Sequence, residues 1–174
     1  MRLFIAINPD DDTRKRLVAL LDALRSRSAK GRFTIPENIH LTITFLGECD
    51  IAKTEKIKNA MGSIQFIPFS MSIDRIGRFR RDGGDIWWAG IAENKKLTEI
   101  RSALVKELAA AGIDVDERFE AHMTIGREIR TDERPHDVEP FTLTVNSVDL
   151  MRSERIGGVL IYTMIHTKEA SKDE

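Results

Sequence analysis

The chain alternates between short apolar runs and longer stripes in which apolar residues recur with helical spacing. Leu3–Ile7 is an apolar run of strand length. The stripe that follows repeats at i, i+3, i+4 and i+7, which is typical of an amphipathic helix, and consists of Leu17, Leu20, Leu21 and Leu24. Asp10–Asp12 stand before it, where carboxylates cap a helix and interact favourably with its dipole. Ile39–Phe45 then alternates apolar and polar residues, which predicts a strand with one buried face.

The second half of the chain repeats this order of elements. Ile86–Ile91 predicts a strand, and the helical stripe after it consists of Leu97, Ile100, Leu104 and Leu108. Ala121–Gly126 then alternates like Ile39–Phe45. Its histidine, His122, lies 82 residues (122 − 40) after His40. The similar displacement of strand, helix and histidine indicates an internal duplication.

A third segment also recurs in the two halves. Pro68–Ile76 aligns with Pro140–Val148 without a gap, and polar and apolar residues match at nearly every position. A helix near Lys53–Met61 is predicted before the first of these segments, and a loop over Thr131–Glu139 before the second. A final strand is expected over residues 159–167.

We interpret the chain as one domain over residues 1–174, built from two copies of a strand–helix–strand–strand unit at approximately residues 2–76 and 85–150, followed by the final strand. The predicted fold class is α+β, with two lobes related by a pseudo-twofold axis. Each lobe is expected to be an antiparallel sheet with helices packed on one face. The active-site cleft would then lie between the lobes. The pattern leaves open whether terminal strands cross from one lobe to the other.

Composition and charge exclude several classes of protein. The 174 residues are 41% hydrophobic and 32% charged, which is ordinary for a domain with a packed core. The formal net charge of −1 gives no overall basic field, so any phosphate site must be built locally. No apolar run approaches the roughly 18 residues of a membrane span, and Met1–Ile7 is too short for a signal peptide. A single cysteine, Cys49, excludes an internal disulfide and agrees with a reducing cytoplasm.

Each of the two alternating segments carries a His-x-Thr pair. Residues i and i+2 of a strand share a face, so His40 lies beside Thr42, and His122 lies beside Thr124. A single pair is typical of an ordinary strand, because threonine forms strands well and histidine tolerates partial exposure. Two pairs at equivalent positions of a duplication instead favour a shared site. The other histidines are expected to be structural or at the surface: His136 and His166.

A metal centre is a second interpretation of the two histidines, since imidazole is a common ligand. Zinc is usually held by three or four His, Cys or carboxylate ligands at short spacing. Neither His40 nor His122 has such neighbours in the sequence, and threonine is a poor zinc ligand. Metal binding is therefore the weaker alternative, and no cofactor is predicted.

Two opposed histidines with two hydroxyls suit the chemistry of phosphodiesters. An in-line displacement at phosphorus removes a proton from the attacking oxygen and delivers one to the departing oxygen on the opposite side. Histidine titrates near neutrality, so one neutral and one protonated imidazole can perform both tasks. The threonine hydroxyls can donate hydrogen bonds to the non-bridging oxygens as charge builds there.

The paired motifs resemble those of the two-histidine phosphoesterase superfamily. Within it, the chain is most similar to the bacterial and archaeal RNA 2′,3′-cyclic phosphodiesterases, once described as 2′-5′ RNA ligases. The likeness covers almost the whole chain and is carried by Met1–Ile7, Pro36–Ile43, Phe45–Glu48, His122–Ile125 and the glycine-rich terminal strand after Gly157. Ala121 departs from the family pattern, which usually has proline before the second histidine.

The resemblance implies a role for each site residue. His40 is implied to be the proton donor and His122 the proton acceptor, with Thr42 and Thr124 beside them. The family commonly has an arginine five residues after the second histidine. This implies that Arg127 contacts the phosphate or the substrate.

Further arginines precede the turn between the two halves, namely Arg75, Arg78, Arg80 and Arg81. They are either solvated surface charges or contacts to RNA phosphates. Phe79 and Trp87 are candidates to stack on bases, as aromatic side chains do with single-stranded RNA ends. The alternative for the tryptophan is that it belongs to the core.

The predicted activity is hydrolysis of a terminal 2′,3′-cyclic phosphate on RNA to a 2′-phosphomonoester, without a metal or another cofactor. The expected partners are RNA ends or nucleotides that carry this cyclic phosphate, with no membrane partner, and the chain is expected to be a cytoplasmic monomer. Three alternatives use the same cleft. They are reversible 2′-5′ RNA ligation, hydrolysis of a small cyclic nucleotide, and noncatalytic binding of RNA ends.

Overall fold

Strands and helices alternate along the chain in the computed structural model, which describes residues 1–172. The strands of this range are β1 (Arg2–Ile7), β2 (Ser28–Phe33), β3 (Leu41–Glu48), β4 (Phe69–Phe79), β5 (Asp85–Ile91), β6 (His122–Thr131), β7 (His136–Val145), β8 (Ser147–Ile156) and β9 (Val159–Glu169). The helices are α1 (Asp11–Ser26), α2 (Ile51–Ser63) and α3 (Lys95–Ala110), with a short 3₁₀ helix at Pro36–Asn38. None of the helices within residues 1–172 is long and apolar enough to cross a membrane.

The nine strands described form one antiparallel sheet that divides into two halves with mirrored order. The order across the sheet is β7–β4–β5–β6–β3–β1–β8–β9, and β2 pairs with the outer part of β6. The halves meet where β3 lies beside β6, at the pair Leu41 and Met123. This arrangement confirms the predicted α+β class and the two lobes related by a pseudo-twofold axis.

The helices begin at side-chain caps. Asp10 accepts a hydrogen bond from the backbone N–H of Thr13 at 2.8 Å, as the acidic run before α1 predicted. Asn94 caps α3 in the same way, through the N–H of Leu97 at 3.0 Å. The predicted stripes of α1 and α3 are largely buried, and with the buried stripe of α2 they join the inward residues of the strands in one apolar core.

The terminal strands cross between the lobes, and this corrects the third predicted repeat. Pro68–Ile76 and Pro140–Val148 are not equivalent elements, because β4 and β7 pair directly and Met71 lies opposite Leu143. The position of β4 in one lobe mirrors that of β8 in the other. The two segments share a pattern because both strands bury one face of the same sheet, so alternation alone aligned them.

Two polar segments were also assigned wrongly. The predicted loop over Thr131–Glu139 contains the start of β7, whose outer residues are exposed at the edge of the sheet. The strand β2 at Ser28–Phe33 was not predicted, because its polar residues lack strict alternation. Both strands lie at sheet edges, where a buried apolar face is not needed to hold the backbone ladder.

We expect Leu41→Ala to destabilise the whole molecule. Leu41 and Met123 are each 0% exposed where the lobes join, so truncation leaves a cavity at the junction. The free energy of unfolding should fall by about 2–5 kcal/mol in denaturant titrations. Ile51→Ala, at a side chain that is 79% exposed, is the control and should stay within about 0.5 kcal/mol of the parent. A loss for Leu41→Ala no larger than that of the control would contradict this account of the junction.

Candidate active site

The register between β3 and β6 brings the two His-x-Thr pairs together. Leu41 lies opposite Met123, and both side chains are buried. Their neighbours along each strand must therefore point to the opposite face of the sheet. The antiparallel direction of the two strands places His40 on the side of Thr124 and Thr42 on the side of His122.

His40 is held by a backbone carbonyl and by its own threonine. Its Nδ1 lies 2.7 Å from the carbonyl oxygen of Asn38, so Nδ1–H donates to that oxygen. Its Nε2 lies 2.8 Å from the Thr42 hydroxyl. In the neutral ring Nε2 is then the acceptor, and the hydroxyl donates to it. Two rings flank the imidazole, Phe4 at 4.8 Å and Tyr162 at 5.2 Å between centroids.

His122 is held by the same device in the other lobe. Its Nδ1–H donates to the carbonyl oxygen of Glu120, two residues before it, over 2.6 Å. This again leaves Nε2 as the atom free to exchange a proton with a ligand in the cleft. Phe79 and Trp88 flank this ring, with centroids 5.1 and 6.1 Å away. Each imidazole thus has a fixed tautomer and an aromatic support.

The pKa of both imidazoles lies below the usual value of 6.5, and burial is the main cause. Hydrogen bonds to the carbonyls of Asn38 and Glu120 oppose this shift by raising the pKa of each ring. The folded chain therefore binds fewer protons than the unfolded chain just below pH 6.5. The stability that these two groups contribute is complete above that pH and is lost as the pH falls through their lower folded pKa values.

Arg127 adds positive charge at the cleft. It is exposed on β6, and its charge lowers the pKa of both His40 and His122. Within residues 1–172 no carboxylate lies within ion-pair distance of it, whereas the next residue, Glu128, binds Arg32 at 2.7 Å. Arg127 thus lies close enough to the two histidines for its charge to act on both.

The other residues singled out from the sequence fall in different places. Trp87 is 0% exposed and belongs to the core, so the prediction that it stacks on bases is wrong. Phe79 is half-buried against His122. Arg75 and Arg78 are engaged with carboxylates, at 2.8 Å to Asp74 and 3.6 Å to Asp85 respectively. His136 is exposed at the start of β7, as expected.

Three residues of the site were missed in the sequence. Tyr162 reaches His40 from β9, and nothing in its local pattern marks it. Arg14 donates from α1 to the carbonyls of Pro9 and Ile39, at 3.1 and 3.4 Å, and so fastens the segment before His40. Asn38 is buried and donates to the carbonyl oxygen of Leu160 at 2.9 Å, which ties the same segment to β9. The one signal that the sequence offered was the position of Asn38 in the Pro36–Ile43 segment, two residues before the histidine.

The side chains near the histidines do not form a metal-ligand set. Among residues 1–172 no group of three or more His, Cys, Asp or Glu side chains is placed to hold a metal ion. The partners of the two rings are carbonyl oxygens, a hydroxyl and aromatic faces. The arrangement is suited to moving protons at two Nε2 atoms and to holding an anion between them.

Known proteins are similar to this chain in sequence. The chain matches the model of the family described as LigT-like phosphoesterase over residues 7–88. It is 32% identical over 139 residues to the RNA 2′,3′-cyclic phosphodiesterase of Archaeoglobus fulgidus, which covers 79% of this chain and 78% of that protein. The RNA 2′,3′-cyclic phosphodiesterase of Methanothermobacter thermautotrophicus is 27% identical over 175 residues, covering 94% and 95%.

Solved structures extend the likeness to the whole fold. The crystal structure of E. coli LigT complexed with 3′-AMP superimposes with a TM-score of 0.87 at 24% identity, covering 98% of each chain. With paired His-x-Thr strands at the junction of two mirrored lobes and relatives of this identity, the chain belongs to the LigT-like phosphoesterase family of the two-histidine phosphoesterases.

We expect two arginine substitutions to shift the pKa values of the two histidines in different ways. Arg127→Met removes a charge that lowers both values, so the pKa of His40 and of His122 should rise. Arg14→Met removes a charge that acts on His40, so only the pKa of His40 should rise from that cause. Titration of the imidazole resonances by NMR measures both. Unchanged values in Arg127→Met would show that its guanidinium lies away from the cleft.

Proposed function

We propose that the chain hydrolyses the 2′,3′-cyclic phosphate at RNA ends to a 2′-phosphomonoester, with His40 and His122 as general acid and base. The observation that carries this proposal is the matched pair of imidazoles at the junction of the lobes, each with Nδ1–H bound to the carbonyl oxygen two residues before it, which leaves both Nε2 atoms for proton exchange. The names of the relatives in Archaeoglobus and Methanothermobacter support the same activity.

His122 suits the role of the base. Burial lowers its pKa, so the ring is neutral near pH 7 and can accept a proton from water at Nε2. The water oxygen forms a bond to phosphorus as its proton moves to His122. On the opposite side of the phosphorus, the bond to the 3′ oxygen breaks.

His40 suits the role of the acid once a substrate is bound. Burial lowers its pKa, and the charges of Arg127 and Arg14 act in the same direction. An anionic phosphate beside the ring has the opposite effect and favours the protonated form. Nε2 of His40 then delivers its proton to the departing 3′ oxygen, and the 2′-phosphomonoester is released.

The hydroxyls and the guanidinium are proposed to stabilise charge on the phosphate. Thr42 and Thr124 stand on the same face as the histidines and can donate to the non-bridging oxygens. During turnover the Thr42 hydroxyl must leave Nε2 of His40, which it contacts at 2.8 Å, and turn to the phosphate. Arg127 offers a charge-assisted contact to the same oxygens.

Several broader features belong to this proposal. We propose that residues 1–174 are one domain that arose by duplication and that it acts as a monomer on RNA ends without a metal ion. We also propose a cytoplasmic location, and the thiol of Cys49, which is free and buried, agrees with a reducing compartment. Burial also raises the pKa of that thiol, which argues against a reactive role.

Loss of either imidazole should abolish most of the activity and leave the fold intact. We expect His40→Ala and His122→Ala each to reduce kcat by about 10²–10⁴-fold on an oligoribonucleotide with a 2′,3′-cyclic end. Thr42→Ala and Thr124→Ala should cost at most about 10²–10³-fold. The double histidine variant should lose far less than the product of the single losses, because the two groups act in one step. Rates from quenched time courses and identification of the product terminus measure all three.

His136→Ala, at an exposed imidazole, is the matched control and should keep the parent rate. A chelator arm accompanies each assay, and activity should survive it. A 3′-phosphate product would reverse the assigned leaving group, and activity lost to chelator and restored by zinc or manganese would contradict metal-free catalysis. Ligated product in place of hydrolysis would favour the alternative of 2′-5′ joining.

A further inference from the structure

The sheet face that carries His40 continues past the histidine as an exposed surface of rings and arginines. We call it the His40 face. It lies on β3, β1, β8 and β9 and is formed by Arg2, Phe4, Phe45, Arg155 and Tyr162. The outer part of this face has no role in the activity proposed for the two imidazoles.

A continuous path of aromatic contacts leads out from the imidazole. The ring of Phe4 lies 4.8 Å from that of His40 and 5.0 Å from that of Tyr162, between centroids. Phe45 lies 6.3 Å beyond Phe4. It is 69% exposed, whereas Phe4 is 4% exposed and Tyr162 is half-buried. Such a step from a buried to an open ring, beginning at the site, distinguishes Phe45 from the scattered apolar residues of ordinary surfaces.

Two arginines border the rings. Arg2 and Tyr162 lie on the same face, because each is paired with Ser153 across adjacent ladders. Arg155 is two residues after Ser153 and therefore also faces this way. Both arginines are exposed, and both act on the Tyr162 hydroxyl by lowering its pKa against the larger effect of burial.

The carboxylate nearest in register does not cancel this charge. Glu48 lies opposite Arg2 on β3, but its side chain binds the amino group of Met1 at 3.4 Å. Arg155 donates to the carbonyl oxygen of Gly158 at 3.2 Å, in the turn between β8 and β9. Within residues 1–172 neither arginine has a carboxylate at ion-pair distance, so both are open to phosphates.

The face around His122 is closed by comparison. Trp88 is 8% exposed and packs against Phe79 at 5.4 Å, and Phe79 in turn packs against His122. The guanidinium of Arg75 lies over Trp88 and is bound to Asp74. The two rings that flank His122, Phe79 and Trp88, are thus half-buried and buried, and neither is open to solvent as Phe45 is.

The in-line geometry assigns the RNA to the open face. The departing 3′ oxygen belongs to the terminal ribose and takes its proton from His40, whereas water enters from the side of His122. The ribose and the strand upstream of it must therefore leave the cleft on the side of His40. Met151 on β8 is paired with Phe4, and Arg155 is four positions further along the same strand, about 13 Å away. Arg155 therefore lies beyond the groups that act on the terminal phosphate.

We propose that the His40 face binds the nucleotides upstream of the cyclic end of a single-stranded RNA. Phe45 stacks on an upstream base, and Arg2 and Arg155 bind upstream phosphates, as in other proteins that hold single strands without reading their sequence. The proposal rests on the function proposed above and adds to it a preference for oligoribonucleotides over mononucleotides.

The experiment compares two substrates, a nucleoside 2′,3′-cyclic phosphate and a pentaribonucleotide with the same cyclic end. Phe45→Ser and Arg155→Gln should each lower kcat/KM on the pentanucleotide by about 5- to 20-fold, the range of one lost stacking or phosphate contact. Both should leave kcat/KM on the mononucleotide within about twofold of the parent, since it lacks the upstream nucleotides. Arg155→Gln should also reduce the slope of log affinity against log salt by about 0.7.

The controls are substitutions of the same type elsewhere. Arg80→Gln removes an exposed arginine of the other lobe, and Ile51→Ser removes an apolar side chain that is 79% exposed on α2. Both should behave like the parent on both substrates. Equal losses on the two substrates, or no loss on either, would overturn the proposal.

A binding measurement separates this inference from the proposed function. Fluorescence anisotropy of a labelled pentanucleotide with a 2′-phosphate end does not depend on turnover. If neither cyclic substrate is hydrolysed, the proposed function fails, and weaker binding by Phe45→Ser and Arg155→Gln than by the controls would still support the RNA surface. Equal binding by all five proteins would overturn it.

Discussion

The pairing of Leu41 with Met123 is the constraint on which the site depends. Within the described residues this pair is the whole register between β3 and β6, and it is where the two lobes of the sheet join. Because both side chains are buried on the helical side, the histidine and threonine next to each must face the cleft. A shift of either strand by one residue would turn the histidine and threonine of that strand into the core. The same apolar contact that holds the lobes together therefore fixes the geometry of the chemistry.

Burial of the imidazoles and the charge of a bound phosphate have opposite effects on their pKa values. Aromatic neighbours desolvate both imidazoles, and this lowers their pKa values and keeps the rings neutral. The carbonyls of Asn38 and Glu120 fix each tautomer and prepare the rings to accept a proton. The charge of Glu120 acts on His122 but not on His40, so a bound phosphate supplies the negative charge that His40 lacks. The charge of the substrate thus favours the protonated form of His40, and this histidine becomes the acid when the substrate binds.

Much of this arrangement could be predicted from the sequence. Burial of one face of a strand or helix produces apolar residues at regular spacing in the sequence. This spacing predicted the strands around His40 and His122 and the helix that contains Leu97–Leu108. The crossing of β4 and β8 between lobes could not be predicted, because alternation shows that a strand is half-buried but not which strand lies beside it. Tyr162 was missed for a similar reason, since it reaches the site from a strand distant in sequence. The two alternatives for Trp87 could not be separated, because an aromatic residue in a strand that follows an arginine cluster has the same pattern whether it faces a ligand or the core.

The assignment of His40 as the acid and His122 as the base is the central claim, and the leaving group tests it most directly. When sulfur replaces the bridging 3′ oxygen of the substrate, the leaving group is a thiolate, which is stable near neutrality because a thiol has a pKa of about 8.5. It therefore needs no proton from an acid. On this substrate His40→Ala should recover to within about tenfold of the parent rate, while His122→Ala keeps its loss of about 10²–10⁴-fold. Equal losses for the two variants on the sulfur substrate, or recovery of His122→Ala instead, would contradict the account.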